Sequence, residues 1–332
     1  MKIIIPMAGM GKRMRPHTLS VPKPLIKVAG KPIVQRLVED IAKVCNEKID
    51  EIAFIIGRFG SEVEKNLLQI AENVGSKGVI YYQDQALGTA HAVYCAEKSL
   101  DGNVIVAFAD TLFIADFKLD KKNDSTIWVQ KVDDPSQFGV VKIDDNKNIT
   151  DFFEKPKTFV TDLAIIGIYY FKDGNLLKNE LKYLLDNNIS VKGEFQLTDA
   201  LQNMKNKGLV FKVGQVKEWL DCGNKNATVE TNSRVLENIG SSISKKSIIK
   251  NSVIIDPCFI DDDVKILNSV VGPHVSISSK TQISNCIISN SIIQSNSNLS
   301  NSNCTNSMIG NECDIKLSKT EFNYGDFIQI SD

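Results

Sequence analysis

Near the start of the chain, Ala8-Gly9-Met10-Gly11-Lys12-Arg13-Met14-Arg15-Pro16-His17-Thr18 is followed by Val21-Pro22-Lys23-Pro24-Leu25. The first 38 residues hold eight Lys or Arg and no Asp or Glu, although the whole chain carries a net charge of only −1. Glycine lets backbone N–H groups come close to a ligand, and unopposed cations neutralise oxygens. Such a loop behind a strand is therefore suited to cradling phosphate. A merely solvated basic face would need the charges but not the glycines and prolines among them. Two common phosphate motifs fail. A dinucleotide fingerprint needs GxGxxG opening a helix, but position 14 is Met and Arg15-Pro16 follow. A P-loop needs Ser or Thr after its Lys, and Arg13 stands there. A second chemical group is Asp110, which ends the apolar run Val104–Ala109. A carboxylate at the C-terminal end of a buried strand suits a metal site, or else caps the next turn.

The elements that must position these groups alternate. Ile3–Pro6, Glu51–Ile56, Val79–Gln83 and Val104–Ala109 are short, apolar and rich in β-branched residues, as strands covered on both faces are. Between them run helical patterns: Pro32 at a first helical position, then Ile33, Leu37, Ile41 and Val44 at spacings of three or four, with similar stretches around 62–73 and 89–98. The alternation predicts an α/β, Rossmann-like sheet of mostly parallel strands, with ligands beyond the strands' carboxyl ends. Thr126–Val132, Val140–Ile143, Ile149–Phe153 and Ala164–Phe171 extend the sheet and roof the pocket.

After a helix near 226–238, closed by Gly240, the texture changes. Ser and Asn dominate, and aliphatics recur every six positions: Ile254, Ile260, Ile266; Val271, Ile277, Ile283; Ile309, Ile315. Between 288 and 309 the step slips to five. A six-residue period predicts a parallel β-helix, with Asn and Ser at its tight corners. We therefore expect two domains, 1–238 and 239–332. The 332 residues are 42% hydrophobic and 24% charged, ample for a core. No global positive field favours nucleic acid, and no apolar run suits a membrane helix. Seven scattered cysteines without a CxxC pair argue against a disulfide framework or zinc site and point to a reducing, cytoplasmic setting.

The loop resembles the signature of the sugar-1-phosphate nucleotidyltransferases, roughly A-G-G-x-G-[ST]-R-[LM]-x-P-x-T and then P-K-P-L. Met10 replaces the second glycine and Lys12 the small hydroxyl residue. The resemblance spans about residues 2–225, and relatives often append a hexapeptide-repeat left-handed β-helix. It implies nucleotide binding by Ala8, Gly9, Gly11 and Lys12. Tyr82-Gln83 with Leu87-Gly88-Thr89-Ala90-His91-Ala92 is similar to the base-recognition segment, which implicates Gln83, Gly88 and Thr89. Asp110 takes the place of a Mg²⁺ ligand, and Asp221 in Trp219-Leu220-Asp221-Cys222-Gly223 that of the second. Glu154-Lys155-Pro156, Gly139 and Tyr169 match sugar-pocket segments. Lys192, in Lys192-Gly193-Glu194, stands where relatives carry an Arg for the sugar's phosphate.

The reaction implied is sugar-1-phosphate + NTP → NDP-sugar + pyrophosphate, with Arg13 on the triphosphate and Lys23 on the α-phosphate. The attacking phosphate is already ionised near pH 7, so no general base is needed. His17, His91 and His274 are isolated and read as structural. Glucose-1-phosphate with dTTP or UTP is the expected pair, and GTP with mannose-1-phosphate the runner-up. Two rivals from other classes are a non-catalytic regulator on the same fold, disfavoured by the presence of Arg13, Lys23, Asp110 and Asp221, and an acyltransferase in the coil, for which only His274 is at hand. The coil's flat faces lead us to expect a homo-oligomer.

Overall fold

A computed structural model describes residues 1–45, 47–115 and 118–316. Counts and absences below refer to these residues; the sequence reading of the segment after Ile315 falls mostly outside them. By packing, the chain forms two compact units. One is Met1–Ile26 with Lys31–Ala227; the other is Lys27–Gly30 with the chain from Thr228.

The first unit is built on a nine-stranded mixed sheet. Lys2–Pro6 lies in the middle, parallel to Glu51–Ile56 on one side and Val104–Ala107 on the other, with Lys77–Tyr82 beyond Glu51–Ile56. These strands are apolar because helices cover them. Ile3, Ile4 and Ile5 are fully buried, and so are Ile33 and Leu37 of the helix Ile33–Cys45. Each such side chain contributes about 1.5–3 kcal/mol. The later strands turn the sheet antiparallel. Leu163–Phe171 runs against Val104–Ala107, Ser125–Lys131 and Gly139–Ile143, and Ile149–Glu154 runs against Gly139–Ile143. A short ribbon, Thr111–Ile114 against Glu218–Asp221, pairs Thr111 with Asp221. The expected helix over 89–98 ends earlier, at Tyr94, and a single 3₁₀ turn, Glu97–Ser99, follows.

The second unit is the expected coil. Three parallel sheets of five, five and four strands form its sides, the arrangement of a β-helix. Its period is shorter than three sixes. Val253 pairs with Val270 and Val270 with Ile287, a step of 17, whereas Ile287 pairs with Asn303 and Gln282 with Asn298, a step of 16. The fives seen in the sequence are thus shortened sides of a rung. Inside, Ile260, Ile277 and Ile293 stack as one buried ladder, as do Ile266, Ile283 and Leu299. Asn251, Asn268, Asn285 and Asn301 occupy one corner, all with φ near +50°. Asn accepts this left-handed geometry more readily than other side-chain-bearing residues, and its amide bonds the next rung, as Asn285 Nδ2 does to Asn301 Oδ1 (3.2 Å). Buried serines close the corners: Ser269 Oγ donates to Leu267 O and accepts from Cys286 N. The helix Lys225–Ile239 ends at Gly240, whose φ is +78°, as expected of a C-cap. Within this unit the buried Asn232 of that helix accepts from Ala29 N (2.9 Å) and Ser276 Oγ (2.6 Å).

Candidate active site

The phosphate-suited loop leaves the central strand at Pro6 and is held in a compact fold. Gly11 sits at φ +57°, and a Cβ there would lie 3.0 Å from Thr18 Cγ2 and 3.1 Å from Lys23 Cβ. Only glycine allows this turn without displacing Lys23. Thr18 Oγ1 donates to Gly11 O at 2.9 Å, and the buried Met14 donates its N–H to the same carbonyl at 2.8 Å. This packing brings Lys23 Nζ to 2.7 Å from Asp110 Oδ2, across 87 residues of sequence. Lys23 is 13% exposed and Asp110 38%.

Asp110 follows the strand Val104–Ala107, and the ribbon, which pairs Asp221 with Thr111, brings Asp221 beside it. Cys222 N donates to Asp110 O (2.9 Å), and Gly223 N to Asp221 Oδ1 (2.8 Å). Burial opposes ionisation of Asp110, but the Lys23 ammonium outweighs it, with help from Arg13, and holds the carboxyl below its ordinary range. Asp221 is pushed up, first by burial and then by the negative charge of Asp110, against the Gly223 N–H bond. Two carboxylates on one wall, the charge of Asp110 opposing that of Asp221, suit a hard cation. No cluster of three His, Cys, Asp or Glu could hold a metal by protein alone among the described residues. A cation here would complete its shell with oxygens from a ligand.

Two adjoining cavities share Asp110, Lys155, Thr89 and Phe108. The first, about 310 Å³, is walled by Ala8, Gly9, Gly11 and Lys23 at one end and by Gln83, Gly88, Glu194 and Gln196 elsewhere. The second, about 340 Å³, includes Arg13, Gly139, Glu154, Tyr169, Trp219 and Asp221. Of the residues expected from sequence, all but Lys12 and Lys192 line one or both. Lys12 is exposed beside Gly11, and Lys192 is exposed in the turn between Val191 and Glu194.

The cavity walls are tied together over long sequence separations. In the first, Gln83 Nε2 donates to Gly88 O (3.2 Å) and to His91 Nδ1 (3.1 Å). His91, read as isolated, thus orients Gln83, and burial lowers its pKa so that the ring stays neutral. Gly88, at φ +105°, has a reason the sequence did not disclose. A Cβ there would fall 2.5 Å from Phe195 O and 2.7 Å from Phe195 N, because the two backbones are packed together. In the second, Thr198 Oγ1 donates to Glu154 Oε2 (3.1 Å), and a Cβ on Gly139 would come within 3.3 Å of that oxygen. Tyr169 is buried edge-on against Phe108, and its hydroxyl is pushed up by burial. Phe138 packs edge-on against Trp219 at 4.9 Å.

Sequence reasoning did not identify Glu194, Gln196, Thr198 or Phe108 as site residues. Glu194 and Thr198 fall in stretches singled out for the resemblance, but nothing in their spacing says that they face a cavity. His17 and His274 line neither cavity.

A family model described as nucleotidyl transferase matches residues 2–238. The chain is 31% identical over 277 residues to the low-salt glycan biosynthesis nucleotidyltransferase Agl11 of Haloferax volcanii, covering 81% of this chain and 73% of that one. It is 27% identical over 333 residues to a glucose-1-phosphate thymidylyltransferase of Streptomyces antibioticus, covering 97% and 86%. With the bifunctional protein GlmU of Methanococcus aeolicus it shares 30% identity over 268 residues, 80% of this chain but 62% of that longer protein. Among solved structures, a Bacillus anthracis protein assigned as a glucose-1-phosphate thymidylyltransferase, in complex with sucrose, aligns with a TM-score of 0.61 at 25% identity, covering 73% of this chain and 96% of that one. Nucleotidyl transferases generally use a divalent metal. The glycine loop, the carboxylate pair and a family match over residues 2–238 agree: this chain belongs to the nucleotidyl transferase family.

Proposed function

We propose that the enzyme transfers a nucleotidyl group from dTTP or UTP to a sugar-1-phosphate, glucose-1-phosphate first among them, releasing pyrophosphate. The observation that carries this reading is the position of Asp110 and its Lys23 partner. Asp110 lies on the wall common to a cavity with a basic glycine loop and a cavity lined by Glu154 and Tyr169, and Lys23, on the wall of the first cavity, is held against it. That is where the phosphates of two substrates would have to meet.

The sugar phosphate's oxygen forms a bond to the α-phosphorus while the bond from that phosphorus to the pyrophosphate oxygen breaks. Neither step needs a proton moved. The chain's work is to align two polyanions and to neutralise developing charge. Lys23, already desolvated, supplies a cation at the α-phosphate; Arg13, which follows the glycine loop but lines the second cavity, would have to reach back from there to meet the leaving pyrophosphate. Lys155, which lines both cavities, serves the sugar's phosphate; Glu154, held by Thr198, accepts from sugar hydroxyls. Asp110 and Asp221 would hold Mg²⁺, which supplies electrostatic stabilisation of the phosphate oxygens when bound.

Base preference rests on Gln83. Its amide nitrogen is committed to Gly88 O and His91 Nδ1, so the amide oxygen is the group offered to a base. An acceptor there suits the imide N3–H of thymine or uracil. Catalysis is assigned to residues 1–238 and self-association to residues 239–332, in the cytoplasm, where nucleoside triphosphates and sugar phosphates are made. No helix among the described residues is long and apolar enough to cross a membrane.

The test is pyrophosphate release with Mg²⁺ across five nucleoside triphosphates and four sugar-1-phosphates. A dTTP or UTP row well above the others supports the proposal. A dominant GTP row would reassign the base, and a blank grid with Mg²⁺ and Mn²⁺ would refute the activity.

A further inference from the structure

We infer that Glu194 is a specificity residue: the hydrogen-bond acceptor that reads a donor group on the nucleoside. This rests on the nucleotidyl-transfer reading and adds a residue to it. Val191 and Glu194 exchange both backbone hydrogen bonds, 2.9 and 3.0 Å, around Lys192 and Gly193, whose φ values are +53° and +81°. Two positive φ angles in a two-residue loop define the tight hairpin turn in which glycine is favoured. Turn geometry therefore explains Lys192-Gly193, and the side chain that the turn delivers to a cavity is Glu194.

Backbone pairing then fixes its position. Phe195 N donates to Leu87 O (2.8 Å) and Ala90 N to Phe195 O (2.9 Å), against the bare Cα of Gly88. Glu194 thereby joins Gln83 and Gly88 on the wall of the first cavity. A directed chain of donors holds its carboxylate. Leu197 N donates to Thr89 Oγ1 (2.9 Å), Thr89 Oγ1 to Gln196 Oε1 (3.4 Å), and Gln196 Nε2 to Glu194 Oε2 (3.1 Å). Because the Thr89 hydroxyl has one proton and already accepts from Leu197, the chain runs in one direction only. It sets which way the buried Gln196 amide faces. Glu194 Oε2 is anchored, and Oε1 has no hydrogen bond among the described residues.

The charge decides what Oε1 can take. A carboxylate's charge repels triphosphate oxygens, for which the same cavity supplies Lys23 and the glycine loop. Its partner is therefore a neutral donor on the nucleoside, a ribose hydroxyl or a base N–H. Gln196 and Thr89 are positioning residues for this contact.

Calorimetric titration of the full chain in Mg²⁺ with UTP, dUTP, GTP and inorganic tripolyphosphate tests the assignment. Wild type, Glu194→Gln and Gln196→Leu are compared. We expect Glu194→Gln to weaken at least one nucleotide about tenfold or more, the loss typical of a hydrogen bond to a charged group, and to leave tripolyphosphate unchanged or tighter. Gln196→Leu should move the same nucleotide in the same direction by less. A loss with UTP but not dUTP identifies the 2′-hydroxyl. Equal losses with UTP and dUTP that differ from GTP identify a base N–H. If every ligand weakens alike, or if no nucleotide changes by twofold, the assignment of Glu194 is wrong while nucleotide binding stands. If the wild type binds tripolyphosphate and no nucleoside triphosphate better, the nucleotidyl-transfer reading falls as well.

Discussion

The two adjoining cavities and the coil are built on opposite plans. In the coil, a residue's neighbours are those one rung away, so each position answers to a local rule: aliphatic inside, Asn or Ser at the corner, and almost anything outside. Ile277 stacks between Ile260 and Ile293, and Asn285 bonds Asn301, always 16 or 17 residues off. At the cavities, neighbours come from everywhere: Lys23 meets Asp110 across 87 residues, and Leu197 meets Thr89 across 108. Coil stability is therefore close to a sum over rungs, whereas the cavities depend on single contacts with no substitute.

The largest effect that would break this contrast is at Asp110. Asp110→Asn keeps the shape but removes the charge that Lys23 pairs with and that a divalent cation would need. We expect turnover to fall about 10²–10³-fold, the scale seen when one electrostatic contributor is removed from an active site. Thermal unfolding should shift downward as well, because Lys23, 13% exposed, is left without its counter-charge, while the fold persists. Near-normal pyrophosphate release at saturating Mg²⁺ would remove Asp110 from the mechanism. A collapse of the fold would show that the ion pair is structural.

The reverse pattern is expected for Ile277→Ala. This side chain is fully buried in the coil ladder, and truncation costs about 2–5 kcal/mol for lost contact and a residual cavity. Urea unfolding should show an early transition of the coil while pyrophosphate release at 25 °C stays within about twofold. Equal loss of turnover would mean that a coil rung is felt at the cavities, and the two plans would not be separable. A smaller version is available at the corner. Asn285 has φ +53°, so Asn285→Ala should cost about 1–2 kcal/mol by left-handed strain, and Asn285→Gly much less. Equal costs for the two would assign the loss to the Asn301 hydrogen bond instead.

The same contrast explains what could be read in advance. The loop of residues 8–25 was legible because glycine, proline and charge at fixed spacing leave few backbone solutions. The coil was legible as a period, and its fives were visible before their meaning was. They shorten rungs to 17 and 16 residues. The packing reasons for Gly88, named from the sequence only as a base-binding residue, and for Gly30 were not legible. Each owes its missing Cβ to a distant partner: the backbone of Phe195 for Gly88, and the ring of Phe259, within 2.2 Å of a Cβ on Gly30. Within the coil unit, Ala29 N reaches Asn232 over 203 residues, and no local pattern announces that. Glu194 belongs with these, since the turn and Phe195 pairing that aim it join segments about a hundred residues apart.

The finest test of the single-contact plan is a proton. His91 Nδ1 accepts from Gln83 Nε2, which requires a neutral ring, and burial places its folded pKa below the ordinary 6.5. Its titratable neighbour is Cys95, whose Sγ lies 4.0 Å from Nε2 and whose thiol burial keeps protonated. A depressed folded pKa adds stability that is present above the unfolded value and lost as pH falls through the folded one. Below that value Nδ1 carries a proton, Gln83 loses an acceptor, and its amide is released from the orientation that presents oxygen to the base. We therefore expect KM for the nucleoside triphosphate to rise several-fold on the acid side while tripolyphosphate inhibition, which reads only the phosphate end, stays flat. His91→Gln, which cannot titrate, should lose that acid limb. If the limb persists in the variant, the titrating group lies elsewhere and Gln83 is held by Gly88 alone.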